Sequence, residues 1–215
     1  LYPHYKLIFK NNIIECYQNY CKFCRKEKLL PNMLFYNLNL IYMKQHLYEN
    51  TIKFMENSNF KTITMMDADL SHDPKYLPEM LCLSQNFDLV IGSRYIPGGG
   101  VTKKWEIWRR FLSAAGNLYL RIIFWQYPIQ DWTTGYNVIK TDSLRRINFD
   151  LLSPKGYAFI SSLKYYLAKS GASIKESPIF FEERNGGESK MTSSIIREGV
   201  ITPWKIMLRE FFHRY

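Results

Sequence analysis

Short apolar runs alternate along this chain with longer stretches in which apolar positions return every three or four residues. Lys61–Met66 is a β-branched, apolar run that ends directly in acidic residues, as a buried strand does when it feeds a loop. Asp73-Pro74 then opens a helix expected through about Ser84, with the proline suited to its first turn, and Asp88–Gly92 is a second buried strand. Strand, helix and strand within about 30 residues predict a βαβ-like unit with a parallel sheet. Pro97-Gly98-Gly99-Gly100 breaks regular structure and predicts a mobile loop. Beyond it the pattern predicts a long helix from about Trp105 to Trp125 and a strand over Gly135–Lys140. A helix over Tyr157–Lys169, stopped by Gly171, and a strand over Ser173–Phe181 follow. Glu183–Lys190 is a polar, glycine-containing loop, and Thr192–His213 is mainly helical with a break expected at Pro203.

The first part of the chain is less legible. Leu7–Phe9 and Met33–Tyr36 are apolar bursts of strand length, and Ile41–Asn57 reads as a helix with Leu47, Ile52, Phe54 and Met55 on one face. No internal repeat, low-complexity tract or linker divides the sequence, so one α/β domain is expected.

A chain of 215 residues can enclose a sizeable core, and a charged fraction of 22% does not suggest disorder. Aromatic residues reach 16%, enough to furnish either a core or a surface that meets an apolar partner. The net charge of +10 favours anionic partners, namely nucleic acid, anionic lipid or phosphorylated ligands. No RNA-binding signature or basic heptad accompanies it, which sets nucleic acid aside. No run of about 18 apolar residues occurs; the longest candidate, Leu118–Trp125, is interrupted by Arg121. The chain opens on Leu-Tyr-Pro-His with neither Met nor a signal-peptide pattern, so it reads as a sequence that starts within a protein or one whose true start lies upstream. Cys16, Cys21 and Cys24 have the spacing of plant-type iron–sulfur ligands, but the expected glycine-rich loop is absent and Cys82 falls in a predicted amphipathic helix. The better reading is free thiols in a reducing cytosol.

Five segments carry candidate chemistry. Asp67-Ala68-Asp69 places two carboxylates one residue apart at a strand end, where hard oxygen ligands suit Mg²⁺ or Mn²⁺ bridging a diphosphate. Such a pair is a weak signal alone, and the following Leu70-Ser71-His72-Asp73-Pro74 strengthens it. Arg94, in Gly92-Ser93-Arg94-Tyr95, follows the next strand, where parallel strands line a ligand crevice; its fork can grip phosphate, or simply pair with a nearby acid. Arg109 and Ser113 are four apart and share a helix face, a cation and a hydroxyl able to bind a second phosphate, unless this is only a solvated basic helix start. Asp131-Trp132-Thr133-Thr134 fits a locally capped turn as readily as an active-site wall. Glu183–Lys190, with Arg184 and Lys190 beside glycines, suits a loop that closes over an anion or a solvated charged loop. His72 reads as a loop residue, and no catalytic triad stands out.

The order of these segments resembles the dolichol-phosphate mannosyltransferase group of family-2, GT-A-fold glycosyltransferases. The matching stretches are DADLSHDPKYLPEM, FDLVIGSRYIPGGG, WRRFLSAAGNLYLR, DWTTGYNVIK, GYAF and FEERNGGESKM, spread over residues 61–191. The resemblance implies a mixed, mainly parallel sheet flanked by helices, with a C-terminal amphipathic helix. It implies that Asp67 and Asp69 hold Mg²⁺ or Mn²⁺ and the donor diphosphate, and that Arg94, Arg109 and Ser113 bind phosphate groups of donor and acceptor. Arg184 and Lys190 would hold phosphate through a loop, Asp131 would shape the site near the sugar, and the Pro97–Gly100 segment would be an acceptor loop. The implied reaction moves a sugar, mannose before others, from a nucleotide-sugar (GDP-mannose before UDP-glucose) to dolichyl or polyprenyl phosphate, with inversion.

In this frame residues 1–60 are a divergent or incomplete nucleotide-binding part, 61–191 the motif-bearing core and 192–215 a helical segment. The V-P-x-Y-N-E-like, D-D-x-S and G-L-G motifs of the group do not occur in residues 1–60. Ile160, Ser161 and Ser162 stand where Gln and Glu usually follow GYAF. An impaired or truncated relative that binds lipid phosphate or a partner without transfer is the alternative. A lipid acceptor implies a peripheral position on the cytoplasmic face of a membrane or a small membrane subunit. Trp204, Ile206, Met207, Leu208, Phe211 and Phe212, mixed with Lys205, Arg209 and Arg214, suit an interfacial helix or one packed on the core.

Overall fold

A computed structural model describes residues 34–37, 61–66, 71–102, 107–152, 156–181 and 193–212. The β-branched and apolar runs form strands: β1 (Leu34–Asn37), β2 (Thr62–Met66), β3 (Leu89–Ser93), β5 (Asn137–Lys140) and β6 (Ile174–Pro178) make a sheet of order β1-β2-β5-β3-β6. β1 pairs parallel with β2 and β6 parallel with β3, while β5 runs antiparallel to both its neighbours. Four of the five strands therefore point one way, giving the mixed, mainly parallel sheet expected. Residues of β3 are buried on both faces, which is why its sequence is a continuous apolar run and not an alternating one.

Helices cover both faces. Ile63, Met65, Leu89, Ile91 and Ile139 pack against α2 (Ile107–Ile123), α4 (Gly156–Lys169) and Ile206 of α5 (Ser193–Phe212). The alternate positions Met66, Val90 and Val138 pack against Leu77, Met80 and Leu81 of α1 (Leu77–Leu83). Asp73 caps the short 3₁₀ turn Pro74–Tyr76 that leads into α1, its carboxylate accepting from the Lys75 amide at 2.9 Å. The helix stop at Gly171 is a Schellman turn. With Gly171 at φ 80°, its amide donates to the Ala168 carbonyl and that of Ala172 to the Leu167 carbonyl, both at 3.1 Å. The small α3 (Thr141–Leu144) follows β5 directly.

Four expectations change. β2 and β3 run parallel but are not neighbours: β5 lies between them, because Val138 and Ile139 are buried on both faces and belong at the centre of the sheet. The strand expected over Ser173–Phe181 ends at Pro178, which has no amide to continue the ladder. Phe180–Phe181, β7, instead pairs with β4 (Gly100–Val101) in a separate ribbon. The loop expected at Pro97–Gly100 is thus a tight reversal leading into a strand. Gly98 sits at φ 87°, and a Cβ on Gly99 would lie 2.5 Å from the Ser93 carbonyl oxygen, so only glycine lets the chain double back here.

The break expected at Pro203 does not occur, and α5 runs through it. Packing overrides the local defect: Pro203 is buried, and the Tyr119 hydroxyl of α2 donates to the neighbouring Val200 carbonyl at 2.5 Å. Ion pairing of Lys169 with Glu210 and a 3.1 Å bond from Arg209 to the Leu151 carbonyl anchor the far end of α5. Of the residues expected on an interfacial face, Ile206 is in the core and Met207 packs against it, whereas Trp204, Leu208, Phe211 and Phe212 are exposed. The expectations over Leu7–Phe9 and Ile41–Asn57 lie outside the described residues, as do Cys16, Cys21 and Cys24; Cys82 is a free thiol in α1.

Candidate active site

The carboxyl ends of β2 and β3 open at the same edge of the sheet, and the antiparallel β5 enters there. Its first residue, Asn137, is flanked by Met65 of β2 on one side and Ile91 of β3 on the other. Among the described residues two connections meet at this edge, the segment after Ser93 and the turn 131–136 that feeds β5, and β2 ends there at Met66. In open α/β sheets such an edge is where ligands bind.

Arg94 and Asp131, 37 residues apart, form a buried bidentate ion pair: Nε donates to Oδ2 at 2.8 Å and Nη2 to Oδ1 at 2.9 Å. The Arg94 amide also donates to Oδ2 at 3.0 Å, and Nη2 reaches Thr133 Oγ1 at 2.8 Å. Of the possibilities for the Asp131 segment the capped turn is present, since Asp131 also accepts from the amides of Thr133 (3.3 Å) and Thr134 (3.0 Å). Burial alone would push the Asp131 carboxyl up. The Arg94 charge and hydrogen bonds, with Lys164 behind them, outweigh it and hold the carboxyl down at about 2. A carboxylate so saturated is no proton acceptor at neutral pH.

Ser113 belongs to the same network. It accepts from the Tyr95 hydroxyl at 2.8 Å, and one turn later Asn117 ties α2 to the turn, donating to Thr133 Oγ1 at 2.9 Å and accepting from the Trp132 amide at 2.8 Å. Arg109 lies one turn before Ser113, its guanidinium 5.3 Å from the centre of the Trp108 ring, and Arg110 donates to the Thr102 carbonyl at 2.6 Å. His72 is a loop residue as expected, but a buried one. Its ring stacks on Tyr136 at 5.0 Å and meets Phe181 edge-on at 5.4 Å, and the Tyr136 hydroxyl donates to the Asp73 carbonyl at 3.3 Å.

The structure therefore brings together Arg94, Ser113 and Asp131, with Arg109 adjoining on α2. Asp67, Asp69, Arg184 and Lys190 lie outside the described residues. Sequence reasoning missed four members of the network: Tyr95, Asn117, Lys164 and Glu176. Two left a trace. Asn117 follows Ser113 by four, and Lys164 interrupts an apolar helix face formed by Ile160, Leu163 and Leu167. Glu176 of β6 accepts from the amides of Gln130 and Asp131, both at 2.9 Å, and nothing local in the sequence announces that.

Residues 27–148 match the family model described as Glycosyl transferase family 2. Among the most similar relatives is an undecaprenyl-phosphate mannosyltransferase of Micrococcus luteus, 41% identical over 152 residues, covering 70% of this chain and 62% of the relative. A polyprenol monophosphomannose synthase of Mycolicibacterium smegmatis is 39% identical over 151 residues, covering 68% of this chain and 56% of the relative. The chain thus spans about three-fifths of the length of these relatives. Among solved structures, a glucosyl-3-phosphoglycerate synthase of Mycobacterium tuberculosis aligns with 13% identity and a TM-score of 0.47, over 76% of this chain and 55% of that one.

Proposed function

The chain belongs to glycosyl transferase family 2, and from that premise we propose that it transfers mannose from a nucleotide-sugar, GDP-mannose before UDP-glucose, to a polyprenyl or dolichyl phosphate. The relatives' names supply the substrate class. The observation that carries the reading to this chain is the buried Arg94–Asp131 pair, wired to Ser113 through Thr133 and Asn117 at the edge where β2 and β3 end.

In this reading Asp67 and Asp69, directly after β2, hold the donor diphosphate through Mg²⁺ or Mn²⁺; two hard carboxylates one residue apart suit either ion. The ion would offset the charge that gathers on the departing nucleoside diphosphate. Arg109 and Ser113 take the acceptor phosphate, and Arg184 and Lys190 close over the phosphates. Arg94, already committed to Asp131 and Thr133, supplies a fixed positive wall; Asp131 holds that wall and takes no proton. The acceptor phosphate is anionic at neutral pH, so its oxygen attacks the anomeric carbon without a general base and inverts it.

Purified protein, Mn²⁺ or Mg²⁺, polyprenyl phosphate and labelled GDP-mannose or UDP-glucose test the reading. Labelled lipid is expected with one donor; lipid binding without product from either donor would sink it. That outcome would favour a relative that binds lipid phosphate without transfer. One feature of α4 speaks for this second reading: the short hydroxyls of Ser161 and Ser162, which donate to the carbonyls of Ala158 (3.2 Å) and Phe159 (2.9 Å) one turn back, stand where the family's group carries longer polar side chains.

A lipid acceptor also calls for a membrane-facing surface. Among the described residues no helix is long and apolar enough to cross a membrane. Two neighbouring helices instead expose apolar stripes: Ile107, Phe111, Leu118 and Ile122 on α2, and Ile196, Val200, Trp204 and Leu208 on α5. Their four- and seven-residue spacings keep each stripe on one face, and the net charge of +10 complements anionic headgroups. Peripheral docking on the cytoplasmic face follows from this reading, either directly or through a small membrane subunit. Replacing Leu118 and Trp204 together by Glu is expected to lower binding to anionic vesicles by roughly tenfold or more while the fold stays intact. Unchanged co-sedimentation would argue against direct docking.

A further inference from the structure

Lys164 is the only buried lysine among the described residues, and it sits in α4 on a face otherwise made of Ile160, Leu163 and Leu167. Its Nζ donates to the carbonyls of Asp131 at 2.7 Å and Thr134 at 3.0 Å, the two ends of the turn that holds Arg94. The charged groups that face it are Asp131 from the turn, Glu176 from β6 and Arg94 from the segment after β3.

We propose that Lys164 is a positioning residue for transfer: its ammonium staples both ends of the Asp131–Thr134 turn and so fixes how Arg94 presents its charge at the sheet edge. The inference rests on the reading that this edge is the transfer site. A leucine or methionine would fill the same space without the cost of burying a charge. It would also take the ammonium from both carbonyls, leaving that of Thr134 with the Asn137 side-chain amide at 3.2 Å. A single flexible stem from α4 satisfies both at once. Together with the buried Arg94 and Asp131 and the half-buried Glu176 it makes a set of two cations and two anions, balanced only while Lys164 is protonated. Burial pushes the Lys164 ammonium down to about 7, against the pull of Asp131 and Glu176, with Arg94 adding to the push. The neutral amine retains two N–H groups for the two carbonyls, so deprotonation alters the charge of the cluster more than its shape.

The test has two arms. In ¹⁵N-labelled wild-type protein titrated from about pH 6 to 8.5, the Arg94 Nε–H and the amides of Thr133 and Thr134 are expected to shift with one common midpoint near 7. Lys164→Met should remove that transition. In the transfer assay, Lys164→Met with a cooperative unfolding transition is expected to lower kcat/KM by about 10- to 100-fold. Wild type is expected to lose phosphate-substrate affinity above neutral pH as Lys164 loses its charge, and the variant should show no such loss. Signals at Arg94 and Thr133 that ignore pH, or a variant with wild-type kcat/KM and pH profile, would overturn the proposal. If the wild type transfers no sugar, the proposed function falls while the titration still decides the wiring; if Lys164→Met does not fold, the wild-type titration decides alone.

Discussion

Asp69→Ala is expected to lower sugar transfer by about 10³-fold or more at saturating donor while leaving the unfolding transition in place. In the proposed mechanism, losing one of the two carboxylates would strip a divalent ion of half the ligands the acid pair offers, and Lewis-acid support of a leaving diphosphate is worth several kcal/mol. The fold should persist because the core contribution of this strand is made by Ile63, Met65 and Met66, all before the acid pair. Chelation of wild-type protein should reproduce the loss, and re-addition of Mn²⁺ should restore wild type but not the variant. Rates within about threefold of wild type, measured across a metal titration, would remove the acid pair from the mechanism.

Asp131→Asn should act through a different route, stability first. The side chain keeps its shape but loses the charge that faces Arg94 and Lys164, and removing one partner of a buried pair costs about 3–5 kcal/mol. Chemical denaturation should show that loss directly. The pH dependence has a definite sign. Asp131 titrates at about 2 in the folded protein against 3.8 in its unperturbed state, so its contribution is complete above about pH 4 and disappears as pH falls towards 2. About 2.5 kcal/mol is involved, and this acid-linked component should be missing from Asp131→Asn. Arg94→Met added to Asp131→Asn should recover part of the stability, because the uncompensated guanidinium is gone. A variant as stable as wild type from pH 2 to 7 would show that the pair is solvated in solution.

Much of this fold can be read from local signals. Continuous apolar runs at 62–66 and 89–93 identify strands buried on both faces, because no face of either strand meets water. Asp73-Pro74 and Gly171 mark helix ends because each acts through backbone geometry within a few residues of itself. The order of the acid pair, Arg94, Arg109–Ser113 and the Asp131 turn suffices to identify the family, which the match over residues 27–148 establishes.

Tertiary structure alone decided which groups meet. Nothing near residue 137 says that β5 will separate β2 from β3; that follows from which strand gains most by lying at the centre of the sheet. Arg94 read alone offers a phosphate grip and a local ion pair equally well, and its acid stands 37 residues away, brought close only when β3 and β5 align. Lys164 looks like an interruption in an apolar helix face until two carbonyls from the 131–134 turn are placed above it. Pro203 looks like a helix break until α2 and α4 hold both halves of α5 in line. Short-range sterics and periodicity act within a turn or a strand and are written in adjacent residues. The partners of buried charges are set by long-range packing, and only the folded chain brings them within reach.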